Sequence, residues 1–153
     1  MNTLTAKKTA TTTSNLIPIN STQIEREIIL DKTVPNGPFK VYCVLAMLAG
    51  VNEGYASIPI DNAIIEDASL SEGAFRLYCI LATFANSHEA SPIFVDATQL
   101  ANLMGRSKST AQRYINELVK QGIVERVRCA TPDGLHGTGF VIHDSIRDSL
   151  EAE

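Results

Sequence analysis

DATQLANLMGRSKSTAQRYINELVKQGIVERVR, from Asp96 to Arg128, is the stretch that decides the fold. Asp96 is placed to cap a helix, because its carboxylate can accept a backbone N–H of the first turn, and Gln99 three residues on completes a capping box. Leu100, Leu103 and Met104 give that helix an apolar face, and Gly105 stands where a C-terminal cap needs a positive φ. Two residues later Ser107 can cap a second helix. Its Ala111, Ile115 and Leu118 recur at i, i+4 and i+7 before Gly122 stops it. Ile123 to Cys129 then alternates, with Arg126 and Arg128 on one face and Val127 and Cys129 on the other. A loop rich in turn residues, Ala130 to Gly139, precedes Phe140-Val141-Ile142, which can return as a second strand.

Two short helices, a glycine turn and a hairpin are the layout of a winged helix-turn-helix, so the spacing predicts a mainly α fold with a small β wing. Charge follows the same outline. Positions 105 to 128 hold six basic residues (Arg106, Lys108, Arg113, Lys120, Arg126 and Arg128) against Glu117 and Glu125. The rest of the chain keeps seven basic and fifteen acidic residues, within a net charge of −4. An acidic chain that gathers its cations in one place is unsuited to coating nucleic acid indiscriminately, but it can still present a local DNA-binding face. The inward positions of the second helix leave Lys108, Ser109, Thr110, Gln112, Arg113 and Asn116 near or on its outward side. Arg can bond guanine in bidentate fashion, Gln and Asn can do so with adenine, and Ser, Thr and Lys reach phosphates. Lys108 is also a cation at a helix N-terminus, opposed by the helix dipole at about 0.3 to 1 kcal/mol. A phosphate there would reverse the sign.

Upstream, the chain repeats itself at an offset of 36 residues. Gly37 to Gly50 aligns with Gly73 to Asn86; the Phe-Lys-Val-Tyr-Cys of residues 39–43 becomes the Phe-Arg-Leu-Tyr-Cys of residues 75–79. Leu70 precedes Phe75 by five positions, as Val34 precedes Phe39, the spacing of a hydrophobic staple. Ser71 is the candidate cap of the second copy. Either a front end has been duplicated without its basic helix, or two similar helices pack on one core. Between the copies, residues 57–60 suit an extended segment and residues 61–65 a brief helical turn. The expected organisation is a flexible tail over 1–22, a helical extension over 23–56, a winged helix-turn-helix over 57–143 and an acidic C-terminal tail over 144–153.

With 153 residues, 44% of them hydrophobic, one domain with an extension can bury a core. Three cysteines without paired spacing suggest neither a disulfide framework nor zinc, and the three histidines lie apart from any ligand-spaced acid or cysteine, so no metal or cofactor is expected. The longest apolar run, Val41 to Val51, is far shorter than a membrane span. No nucleophile motif or phosphate-binding glycine loop is present, and an enzyme is not expected. These features suit a cytoplasmic, nucleoid-associated protein.

Several segments of residues 57 to 129 resemble the winged helix-turn-helix family of bacterial, plasmid and phage replication-initiation proteins and related regulators. They are Ile58-Pro59 leading into residues 62–65, then Leu70-Ser71-Glu72-Gly73-Ala74, Leu100 to Thr110, and Leu118 to Val124. The resemblance implies a DNA-reading helix that begins at Ser107. The sequence lacks a sizeable C-terminal domain like that of the longer initiators, and the repeated front end is outside the family's usual pattern. The expected partner is double-stranded DNA, contacted by Arg106, Ser107, Lys108, Ser109, Thr110, Gln112, Arg113, Asn116, Lys120, Arg126 and Arg128 and bound by a homodimer. The alternative is a winged-helix adaptor in a larger nucleoprotein assembly, with Lys108 and Arg113 serving an acidic partner; separately, the N-terminal helical extension can hold a protein partner.

Overall fold

A helix that is apolar on nearly every side must lie in the middle of a core, and the helix over residues 72–88 does. The computed structural model describes residues 20–50, 57–88, 92–130, 133–134 and 136–151. In chain order these form β1 (Ser21–Glu25), α1 (Arg26–Leu30), α2 (Asn36–Leu48), β2 (Ser57–Asp61), α3 (Asn62–Ile65), α4 (Glu72–His88), α5 (Ala97–Met104), α6 (Lys108–Lys120), β3 (Val124–Ala130), β4 (His136–Ile142) and α7 (Ser145–Glu151). Every residue of α4 from Ala74 to Thr83 is buried, and α1, α2, α5 and α6 all pack against it. No helix among the described residues is long and apolar enough to cross a membrane.

The described residues hold two antiparallel pairs, the first packed on α4 and the second on α6. β1 lies against β2 from Ser21 opposite Asp61 to Glu25 opposite Ser57. β3 lies against β4 from Val124 opposite Ile142 to Ala130 opposite His136. The helix-turn-helix of α5 and α6 followed by the β3–β4 hairpin is a winged helix-turn-helix, preceded by a partial repeat of its first helix.

Residues 21 and 22, expected within a flexible tail, belong to a strand. Ser21 and Thr22 are buried in β1, and Thr22 Oγ1 donates to Asn62 Oδ1 at 2.6 Å. Strand pairing with β2 supplies the backbone partners that a free tail would lack. The rest of the expected tail, residues 1–19, lies outside the described residues. The returning strand of the wing also starts sooner, at His136 rather than Phe140. Gly137 and Gly139, read from sequence as loop residues, are inside it. Gly139 is a point of close approach, where a side chain would meet Pro92 Cβ at 2.8 Å, and Ile93 pairs with Phe140 beside it.

The two copies of the repeat pack on each other, exchanging equivalent contacts. Phe39 and Phe75 lie 5.9 Å apart between ring centroids. The Lys40 ammonium stands 4.5 Å from the Phe75 centroid, and the Arg76 guanidinium 4.3 Å from the Phe39 centroid. Each copy therefore offers its cation to the aromatic ring of the other. Cys43 and Cys79 are buried in the same helices, and burial pushes the Cys43 thiol up to about 12 and the Cys79 thiol well above the usual range.

Arg76 also joins the front of the chain to α4. Buried, it donates from Nε to the Ile29 carbonyl at 2.9 Å, from Nη1 to Val34 at 2.9 Å, and from Nη2 to Asp31 at 2.7 Å and Ile28 at 3.4 Å. Those carbonyls belong to the end of α1 and the turn after it, where a helix has run out of its own donors.

The C-terminal segment docks on the same core. Asp144 is buried, accepting from the Tyr78 hydroxyl at 2.7 Å and pairing with Arg147. Asp61 serves two elements: one carboxylate oxygen caps α3 through Ala63 N–H, and the other accepts from the backbone and hydroxyl of Ser145, both at 2.8 Å. Ile146 is buried on the inner face of α7.

Candidate nucleic-acid interface

Each end of the turn motif is held by the interactions its sequence suggests. Asp96 accepts from Gln99 N–H at 2.8 Å while the Gln99 side chain accepts from Asp96 N–H at 3.0 Å, completing the capping box. Gly105 has φ of 66°, a left-handed conformation that lets its N–H and that of Arg106 return to the carbonyls of Asn102 and Ala101. Ser107 then caps α6 by accepting from Thr110 N–H at 3.2 Å, and its hydroxyl donates to Thr110 Oγ1 at 2.9 Å. Ser107 and Thr110 therefore set where the helix starts.

Ala111, Ile115 and Leu118 are buried on the inner face of α6, which leaves Lys108, Ser109, Gln112, Arg113, Asn116 and Lys120 exposed on the outer side. Arg106 is exposed just before the helix. Thr110 is half-buried, consistent with its part in the cap. The Arg113 guanidinium lies 5.1 Å from the ring centroid of its neighbour Tyr114. All the expected contact residues of α6 thus lie on one helix, and most share one solvent-facing stripe.

The hairpin brings Arg126 beside that stripe, and Arg128 is exposed two residues further along β3. Arg126 donates to Asn116 Oδ1, so two expected DNA contacts are partners of each other in the free protein. This bond ties the wing to α6, and either residue has to exchange it for a phosphate or base. Glu125 projects to the opposite face of the strand, where the His143 ring meets it at 2.9 Å. Donation to the Glu125 carboxylate holds the His143 imidazole above its usual range, with Asp148 adding to the effect. The single carboxylate of β3 is in this way engaged away from its arginines.

Sequence patterning did not indicate what fixes α6 against α4. Ser71, the N-cap of α4, donates through both its N–H and its hydroxyl to the Glu117 carboxylate, each at 2.7 Å. One turn earlier on α6, Tyr114 covers Gly73 so closely that a Cβ on the glycine would lie 2.0 Å from Tyr114 Cζ. These partners are more than forty residues apart in sequence, and no local spacing announces them. Among the described residues no three His, Cys, Asp or Glu side chains are grouped to hold a metal.

One comparison with known families falls on these elements. Residues 68–124, from the turn before α4 to the first residue of β3, match the family described as a helix-turn-helix domain. Among solved structures, this chain is similar to a "possible transcriptional regulator" from Methanosarcina mazei Go1. The identity is 19%, over 65% of this chain and 82% of that one, with a TM-score of 0.38. No curated protein matches.

Proposed function

We propose that the chain binds double-stranded DNA in a sequence-specific manner through α6 and the β3–β4 wing. Its role would be that of a transcriptional regulator, or a replication or maintenance factor of a plasmid, phage or other mobile element. The observation that carries this reading is the capped, exposed stripe of Lys108, Ser109, Gln112, Arg113, Asn116 and Lys120 on a helix within a matched helix-turn-helix domain. Phosphate-directed side chains at the start of the helix and base-reading types one turn later suit entry of its N-terminus into a major groove. Arg106, Arg126 and Arg128 extend the cationic surface to either side. Selection of bound sites from a pool of random duplexes tests this directly. A shared sequence should emerge, bound with an affinity that falls steeply as salt rises; recovery of no preferred sequence would contradict specific recognition.

We further propose that the DNA-binding form is a homodimer joined through α2. The inner face of this helix packs on α4, which satisfies one apolar surface within the chain. On the outer face Val41, Leu45 and Leu48, at i, i+4 and i+7, are 56%, 60% and 74% exposed among the described residues, and residues 41–48 include no charge. An uncharged stripe can meet its own copy about a two-fold axis without like-charge repulsion. Light scattering should give twice the chain mass at micromolar concentration, and Leu45→Glu should give a monomer. A monomeric wild-type protein would exclude this assembly.

A further inference from the structure

The turn between α1 and α2 reaches the reading head. A side chain built on Gly105 would meet Lys32 Cβ, Cδ and Cγ at 3.5, 3.6 and 3.9 Å, so the aliphatic stem of Lys32 lies over the open side of the glycine turn between α5 and α6, where a side chain at 105 would otherwise stand. Lys32 is nonetheless exposed, as expected of a side chain that lays its stem along a surface and keeps its ammonium in water. The residues that follow this turn are Arg106, Ser107 and Lys108, where the candidate interface begins.

The backbone that carries Lys32 is held on both sides. The guanidinium of Arg76 gathers the carbonyls of Ile28, Ile29, Asp31 and Val34. The Asp31 carboxylate accepts from both the N–H and the hydroxyl of Thr33, which directs that acid into the turn. Among the described residues no hydrogen bond or ion pair holds the Lys32 ammonium. In the second copy of the repeat the equivalent position, 36 residues on, is Ala68. This cation is therefore a feature of the extension alone.

We propose that Lys32 is a DNA-backbone contact, a phosphate-binding cation that the N-terminal extension places beside the turn of the helix-turn-helix. The DNA-contacting surface is then assembled from the N-terminal extension as well as from the helix-turn-helix, and the α1–α2 turn contributes to affinity. The inference rests on the DNA-binding function proposed above. A single ammonium on a phosphate neutralises charge without reading sequence, so its contribution is the same for every duplex.

The test uses the full chain, a duplex enriched by selection and an unrelated duplex of equal length. Lys32→Gln should lower affinity about fivefold near 0.1 M salt, by the same factor on both duplexes, and make the slope of log K against log salt shallower by about 0.9. Ethylation interference then separates a contact from a diffuse charge effect. One phosphate whose ethylation weakens the wild type should cease to matter in Lys32→Gln, while Lys108→Gln should lose a different one, and Lys32→Arg should restore the wild-type pattern. A Lys32→Gln protein with the wild-type slope and footprint would overturn the proposal while leaving DNA binding intact. Absence of salt-dependent duplex binding by the wild type would instead remove the DNA-binding function itself.

Discussion

Replacing Arg76 with Met should cost about 3 kcal/mol or more of folding stability, measured as a shift in the urea midpoint with little change in slope. Met retains most of the aliphatic bulk but none of the donors. Four carbonyl groups, those of Ile28, Ile29, Asp31 and Val34, would lose a charge-assisted partner together, and the Phe39 ring would lose the cation over its face. Because Arg76 is buried, water cannot reach all these acceptors without opening the α1–α2 turn. Arg76→Lys should recover less than half of the loss, since a compact ammonium cannot span a planar fork of acceptors. A midpoint within error of the wild type would show that the turn is held by other contacts. Against a typical total of 5 to 15 kcal/mol, the predicted loss is large enough to leave a measurable unfolded fraction near 37 °C.

Gly73→Val should be almost as disruptive and should also lower DNA affinity. A Cβ at this position would lie 2.0 Å from Tyr114 Cζ and 2.4 Å from Tyr114 Oη, so either the ring leaves its place or α6 moves away from α4. Overpacking of this kind costs about 3 kcal/mol when both partners belong to packed helices. Movement of α6 would also strain the Ser71–Glu117 hydrogen bonds one turn further on and displace the exposed stripe with respect to the wing. Tyr114→Ala removes the obstacle, so Gly73→Val with Tyr114→Ala should be more stable than Gly73→Val alone, although Tyr114→Ala by itself destabilises. Such a reversal of sign identifies direct contact. Additive losses would place the effect of Gly73 elsewhere.

These two sites also show where the sequence could be followed and where it could not. The helix-turn-helix was legible because its determinants are local: Asp96 and Gln99 three residues apart, a positive-φ glycine at 105, the Ser107 cap, and Ala111, Ile115 and Leu118 at helical spacing. Each is satisfied within about one turn of chain, so spacing alone reveals it. The repeat was legible as a pattern but not as a packing arrangement, since nothing local indicates that Phe39 receives Arg76 while Phe75 receives Lys40. The contacts that seat the reading helix on the rest of the chain are distant in sequence: Gly73 under Tyr114 and Ser71 on Glu117, with Lys32 lying over Gly105. Glu117 counted in the sequence only as an acid among bases, yet it anchors α6. Asn116 and Arg126 both have side chains suited to DNA, and side-chain type does not reveal that they bond each other in the free protein. Gly137 and Gly139 resemble turn residues, so the sequence pattern conceals that the second strand of the wing starts at His136. At 139 the glycine instead serves a close approach of Pro92.

If α6 reads DNA through its exposed stripe, Lys108→Ala/Arg113→Ala should lose affinity for a duplex selected by the wild type. Both residues are exposed, so circular dichroism and the urea midpoint should stay close to wild type. Loss of one phosphate contact and one base contact should weaken binding about 100-fold and reduce the preference over an unrelated duplex. Unchanged affinity and preference in this double variant would contradict the assignment of α6 as the reading helix.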